Sequence, residues 1–320
     1  MTITPVSSLP SLQGERIHIV EQLVGQIPAA SGIPDVSGMP TVLCIGGLGS
    51  CWCEWLPLFL AMQSPKLTET TGAAAHSRPL RLVCFDRPGS GLSPMPAQGT
   101  PEYATAYTVV SEAERIRDVL DQLGAASPVL VLAHSMGAFY AEGFARAFPE
   151  RCAGVLFLDP SVPEPGDDDG YLPFPDTMLP VASRLIPGPL FGVLRRLSTP
   201  RLSRVAGRVA NKTAARHRHS TPEQLAALRL ELSRYPECSR FISAQRISEV
   251  DPPPWRSVFL AAEPRLPLPW VIKRRTSLAL SARQLDARME TVRPAPHHLM
   301  MSHPESVAET VRELVQELVP

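Results

Sequence analysis

The chain has 320 residues, and its 31 basic side chains balance 31 acidic ones, which gives a formal net charge of zero. A hydrophobic fraction of 44% with 19% charged residues excludes wholesale disorder and is ample for a buried core. The balanced charge also argues against a protein that binds nucleic acid or an anionic membrane, because both partners require an excess of basic residues.

The sequence carries no sign of a leader, a membrane span or a metal site. Residues 1–13 contain neither a basic residue nor the apolar segment of a signal peptide, so we expect a cytoplasmic protein. No segment has the roughly 20 uncharged apolar residues of an integral membrane segment. The six cysteines form no C-x-x-C pair, and Cys51 and Cys53 lack the companion cysteines or histidines of a zinc site. We therefore expect reduced core thiols and no metal.

The first half of the chain alternates short apolar runs with helical patterns. An opening hairpin is predicted over 16–24, and four further strands are predicted over 41–45, 80–85, 129–133 and 154–158. Mostly apolar runs of this length are typical of strands that are buried on both faces, as in a parallel sheet.

Two helices are predicted between these strands. A capping box of Ser111 and Glu114 opens the first helix, and Gly124 ends it. The second helix follows Ser135 and ends at Pro149. The order of strands and helices predicts a doubly wound, mostly parallel α/β sheet.

The alternation stops after Asp159. Residues 161–263 are rich in proline and contain a basic stretch at 195–218, and a helix is predicted over 221–232. We interpret the basic stretch as a solvated helix face, with an anionic substrate or a membrane surface as the alternative ligand.

Alternation resumes with an apolar run over 268–272, which we predict to be a strand. A strongly periodic helix closes the chain, with apolar residues at Val307, Val311, Leu314, Val315, Leu318 and Val319. The sequence thus predicts one α/β core in two parts, 1–160 and 264–320, and a helical cap inserted over 161–263.

The segment 129–137 carries the strongest chemical signal. A buried strand leads directly into Ala133-His-Ser-Met-Gly137, a small-x-Ser-x-Gly turn, and then into a helix. A tight turn of this kind is the nucleophile elbow, which exposes the serine at a helix N-terminus where backbone N–H groups favour an oxyanion. The alternative is that Ser135 only caps the helix.

Two more glycine-containing turns accompany the elbow. Cys44-Ile-Gly-Gly-Leu-Gly-Ser50 and Phe85-Asp-Arg-Pro-Gly-Ser-Gly-Leu-Ser93 each follow a predicted strand. In this order, the three motifs resemble those of the α/β-hydrolase superfamily, over about two thirds of the chain. The resemblance implies that the backbone N–H groups of Leu48 and Met136 form the oxyanion hole and that the insertion is the variable cap. We expect Asp86 and Arg87 to lock loops beneath the site.

The resemblance also implies a late catalytic histidine, about seven residues before the proline that opens the last helix. His297 fits this spacing before Pro304. His298 is the alternative, because Pro296 replaces the usual preceding glycine, and His303 is expected at the helix entry.

The catalytic acid is the most open assignment. Most relatives place it after the strand that corresponds to 268–272, but residues 264–285 contain no Asp or Glu. Asp159 ends the preceding strand, where some branches of the family keep their acid and where a carboxylate can orient the imidazole. The alternatives are a turn-forming role for Asp159 and an acid at Asp286 or Glu263.

Together these residues predict a serine hydrolase that cleaves an ester or amide through an acyl-enzyme, with no cofactor. The nucleophile would be Ser135, the base His297 and the acid Asp159. Phe174 and Phe191 of the cap suggest an apolar substrate pocket. The competing prediction is a non-catalytic protein of the same fold that binds a small molecule or a partner.

Overall fold

The computed structural model describes residues 6–12, 14–25, 36, 38–64, 79–125, 128–163, 221–249, 253–263 and 269–318. Phe174, Phe191 and the basic stretch 195–218 lie outside these residues. The described strands are β1 Val6–Ser8, β2 Ser11–Leu12, β3 Glu15–Arg16, β4 Ile19–Val24, β5 Thr41–Ile45, β6 Leu80–Phe85, β7 Val129–His134, β8 Cys152–Leu158, β9 Arg256–Ala262 and β10 Arg288–Val292. The described α-helices are α1 Leu56–Met62, α2 Pro101–Thr105, α3 Val109–Gln122, α4 Gly137–Ala147, α5 Pro222–Ser248, α6 Pro269–Gln284, α7 Leu299–Ser302 and α8 Pro304–Leu318.

Eight of these strands form one sheet, in the order β1-β4-β6-β5-β7-β8-β9-β10. The six strands from β6 to β10 in this order run parallel, whereas β4 is antiparallel to β6 and β1 is antiparallel to β4. This architecture confirms the predicted doubly wound, mostly parallel α/β class. It also brings the carboxyl ends of β5, β7, β8 and β9 to the same side of the sheet, which we call the sheet edge. Such folds bind their ligands there.

The two faces of the sheet carry separate cores. Along β5, Leu43 and Ile45 pack with residues of α3 and α4, while Val42 and Cys44 pack with residues of α1, α7 and α8. Side chains on a strand alternate between faces, so a strand between two helical layers is buried along both faces and is mostly apolar. All five residues of β5 are buried.

The strand predicted over 268–272 is wrong, because Pro269 begins helix α6. The missing strand is β9, Arg256–Ala262, which pairs in parallel with β8 and has six buried residues in succession. Since β9 belongs to the main sheet, the core resumes before residue 263, which was the predicted end of the cap.

Three smaller predictions also need correction. Thr108 rather than Ser111 caps α3, since its hydroxyl accepts from the Ser111 N–H at 3.2 Å. The opening hairpin joins β2 to β3, before the predicted segment, while β4 pairs with β6. The helix predicted over 221–232 extends to residue 248.

Among the described residues, no helix is long and apolar enough to cross a membrane.

Candidate active site

Ser135 occupies a strained turn directly after β7. Its φ of +53° lies in the left-handed region, which is unfavourable for a residue with a Cβ. The Ser135 N–H donates to the carbonyl of Leu158 at 3.2 Å, and its own carbonyl accepts from the N–H groups of Ala138 and Ser161 at 3.0 and 2.9 Å. These bonds fix the turn against the end of β8. Met136, which follows Ser135 directly, stands at the N-cap position of α4 and makes no side-chain cap bond.

Small residues around the elbow are required by close packing. A Cβ on Gly137 would lie 2.6 Å from the Gly46 carbonyl oxygen, and a Cβ on Gly47 would lie 2.8 Å from the Cβ of Ser135. The segment that follows β5 therefore touches the elbow with its backbone. Leu48 is half-buried and Met136 is fully buried, each beside one of these contacts.

Asp159 follows β8 and is almost completely buried. Its φ of +44° is also in the left-handed region, and its N–H donates to the Leu260 carbonyl at 2.7 Å. Oδ1 accepts from the Ala262 N–H at 2.9 Å and from Arg274 Nη1 at 2.7 Å, and Oδ2 lies 2.5 Å from His297 Nδ1. Strand β9, helix α6 and the turn that carries His297 thus each supply one partner of the carboxylate.

These partners also keep the Asp159 carboxylate ionised. Burial by itself would raise the pKa of Asp159, but the hydrogen bond from His297 and the positive charge of Arg274 outweigh it and lower the pKa below its ordinary value. A negative carboxylate accepts the Nδ1–H of His297 and leaves Nε2 of that ring as the hydrogen-bond acceptor.

His297 lies in the turn before α7, with 41% of its side chain exposed. His298 is half-buried, and its ring centroid lies 5.0 Å from that of His134. His303 bonds Ser302 Oγ at 2.9 Å, next to the start of α8. Of these three candidate histidines, His297 is the one that bonds Asp159.

The two alternative acids have other surroundings. Asp286 is exposed just after α6, and Glu263 forms an ion pair with Arg293. The structure therefore joins Asp159 to His297 at the same sheet edge as Ser135, since the elbow and the strand end carrying Asp159 are bonded to each other.

His134 packs against His297. Its side chain is buried, and Nε2–H donates to the His297 carbonyl at 3.1 Å, with ring centroids 4.6 Å apart. Burial, followed by the nearby rings of His297 and His298, lowers the pKa of His134 well below its ordinary value. The ring therefore packs beside the elbow as a neutral donor.

Asp86 links loops under the site, as the sequence indicates. Its carboxylate accepts from His18 Nδ1 at 2.7 Å, from the Trp52 N–H at 2.7 Å and from the Leu92 N–H at 2.9 Å. Gly91 has a φ of +52°, and a Cβ there would overlap this carboxylate at 2.0 Å. The side chain of Asp86 is completely buried, and its bonds join the segments of His18, Trp52 and Leu92.

Sequence reasoning missed two charged residues near the site. Arg274, which bonds both the side chain and the carbonyl of Asp159, belongs to the segment that was predicted to follow a strand. Glu231 of α5 bonds Arg87 and the Gly49 N–H. For Glu231 a signal was available in the sequence: it lies on the same face of a predicted helix as the apolar Ala227 and Leu228. A charge on an apolar face requires a partner.

Comparison with known proteins places this geometry in context. The model of the alpha/beta hydrolase family matches residues 42–310. An epoxide hydrolase from Vigna radiata is 16% identical, with a TM-score of 0.64 over 98% of this chain and 99% of that one. A thermophilic esterase from Thermogutta terrifontis is 18% identical, with a TM-score of 0.60 over 99% and 100%. The thioesterase domain from the curacin biosynthetic pathway is 16% identical, with a TM-score of 0.62 over 98% and 99%. At these identities the structures share the fold.

Proposed function

Because this chain belongs to the alpha/beta hydrolase family, we propose that it is a serine hydrolase acting on a small ester or amide. Ser135 is the nucleophile, His297 the general base and Asp159 the acid that orients the imidazole. The observation that carries the proposal is the 2.5 Å hydrogen bond from His297 Nδ1 to a buried carboxylate, at the sheet edge that also carries the strained serine turn.

The chemistry proceeds in two halves. His297 Nε2 takes the Ser135 hydroxyl proton while Oγ attacks the substrate carbonyl, and Asp159 stabilises the imidazolium that forms. The backbone N–H groups of Leu48 and Met136 bind the oxyanion of the tetrahedral intermediate. The imidazolium then protonates the leaving alcohol or amine, which leaves an acyl-enzyme. Water, deprotonated by the same ring, releases the acid and restores the serine.

The insertion between β8 and β9 is proposed as the cap over this site. Helix α5 is its described part, and Phe174 and Phe191 remain candidate pocket residues by prediction only. The absence of a cofactor and the cytoplasmic location likewise remain predictions from the sequence.

A fluorophosphonate probe and p-nitrophenyl butyrate test the proposal directly. Wild type should be labelled by the probe and should hydrolyse the ester, and Ser135→Ala should do neither. The variant should keep its fold, because Met136 and not Ser135 stands at the N-cap of α4. Circular dichroism checks this point.

Full activity in a well-folded Ser135→Ala variant would exclude the assignment. The competing prediction, a non-catalytic binding protein, requires that wild type remain unlabelled and inactive. It was motivated by the lack of a carboxylate after 268–272 and by the altered glycine positions, and the hydrogen bond from His297 to Asp159 weighs against the first motive.

A further inference from the structure

Helix α5 packs one face against the loops beside the elbow. Its buried residues recur at helical spacing and comprise Ala227, Leu228, Glu231, Cys238, Ser239 and Ile242. A Cβ on Gly89 would lie 2.4 Å from the Cβ of Ala227, and Gln224 Nε2 donates to the Gly91 carbonyl at 3.3 Å. Glu231 is the acidic residue among these buried positions.

This carboxylate reaches the loop that holds the proposed oxyanion donor. Glu231 Oε2 accepts from the Gly49 N–H at 2.7 Å, and Oε1 accepts from Arg87 Nε at 2.9 Å and Nη2 at 2.6 Å. Arg87 in turn donates from Nη1 to the Gly46 carbonyl at 2.7 Å and from Nη2 to the Gly47 carbonyl. The pair therefore bonds the backbone on both sides of Leu48.

Both charges are shielded from water. The side chains of Arg87 and Glu231 are 2% and 1% exposed. Burial would lower the pKa of Arg87, but Glu231, together with Tyr140, Glu112 and Tyr107, outweighs burial and raises it, so the guanidinium stays charged. A buried ion pair adds little net stability compared with apolar residues of the same volume. Its distinct contribution is a fixed hydrogen-bond geometry, here applied to loop 46–50.

We propose that Glu231 and Arg87 are positioning residues that aim the Leu48 N–H at the oxyanion, so that the cap helix sets the geometry of the oxyanion hole. The inference rests on the proposed function. An oxyanion donor acts only within about 2.7–3.1 Å of the developing charge. A displacement of about 1 Å in such a site lowers the rate by about 100-fold.

Glu231→Gln tests the proposal. The amide can accept from Arg87 or from the Gly49 N–H, but its NH₂ group opposes the other donor. With p-nitrophenyl butyrate, we expect kcat to fall about 10- to 100-fold and KM to change less than about threefold. The Ki of butylboronic acid, which forms a tetrahedral adduct with the serine, should rise by the factor by which kcat/KM falls.

Glu142→Gln is the matched control. Glu142 is also a buried carboxylate, and it bonds Arg146 and Arg246, the latter on the same helix α5. Its loss weakens the docking of that helix at a second ion pair rather than at loop 46–50. We expect kcat and the boronic acid Ki of this control to stay within about threefold of wild type.

A second variant covers a failure of Glu231→Gln to fold. Arg87→Met combined with Glu231→Leu removes both charges, so neither charge is left buried without its partner, and it releases the loop, so it should show the same loss in kcat. The proposal is overturned if the folded variants of this pair match Glu142→Gln in kcat and Ki, or if neither variant folds. If the wild type is not labelled by the fluorophosphonate probe, the proposed function is wrong. If the wild type is labelled, the proposed function stands, and the kinetics of these variants test only the positioning role.

Discussion

Replacing Asp159 with asparagine should trap His297 in the wrong tautomer. Both partners of Oδ1, the Ala262 N–H at 2.9 Å and Arg274 Nη1 at 2.7 Å, are donors. The asparagine must therefore direct its carbonyl oxygen at them and its NH₂ group at His297 Nδ1. Nδ1 then becomes an acceptor and the ring proton moves to Nε2. That nitrogen can no longer take the proton of Ser135.

The expected loss is large and confined to the chemical step. A triad acid replaced in this way lowers kcat by about 10³- to 10⁴-fold, which corresponds to about 4 to 5.5 kcal/mol of transition-state stabilisation. KM should change little, because the tautomer of the base does not affect ground-state binding. Steady-state kinetics with p-nitrophenyl butyrate measure both parameters, and circular dichroism checks the fold.

Two conservative variants serve as controls for this change. Asp286→Asn and Glu263→Gln should each lower kcat less than about tenfold, because Asp286 is exposed after α6 and Glu263 bonds Arg293. A large loss in Asp286→Asn together with an active Asp159→Asn would refute the assignment of the acid.

Two other perturbations follow from contacts at the elbow and under the cap. Gly47→Ala should lower kcat about 10- to 100-fold, because its Cβ would lie 2.8 Å from that of Ser135. Gly38→Ala is the control: there is open space around its Cβ, so it should match wild type in the same ester assay. Equal activity of the two variants would contradict the packing argument. The pKa of Glu142 is lowered, because Arg246 and Arg146 outweigh the opposing effect of burial. Its contribution to stability is therefore complete above the unfolded-state pKa of about 4.3 and is lost as the pH falls through the lower folded-state value. Urea unfolding should give Glu142→Gln about 3 kcal/mol less stability than wild type at pH 7, and this difference should shrink below pH 4; a difference independent of pH would contradict the ion pair.

Fully buried strands are the elements that the sequence predicts best. β5 and β6 have their predicted bounds, because continuous apolar runs of this length between turn residues are typical of central parallel strands. The run at 268–272 has a similar composition but lies at the start of α6. Over five residues, periodicity cannot separate a strand from a helical turn. β10 is mostly exposed, so no apolar run marks it.

The same difference between local and long-range signals separates the site residues that were predicted from those that were missed. Ser135, Asp159 and His297 were predicted because motifs, strand ends and the family spacing identify them within short segments. The contacts of Arg274 and Glu231 span 115 and 182 residues. They depend on how α5 and α6 dock on the finished sheet; the apolar helix face around Glu231 indicates that this carboxylate needs a partner, but no local pattern identifies the partner.

The chain leaves the sheet after β8 and returns in β9, which lies directly beside it, with Leu158 opposite Leu260. The ends of the intervening segment are therefore fixed by the sheet whatever its length. Doubling the length of a flexible loop adds only about 0.6 kcal/mol of closure entropy. Insertions and deletions in this segment can thus accumulate during evolution without disturbing the strand register. The condition is that Glu231 of α5 keeps its bonds to Arg87 and the Gly49 N–H.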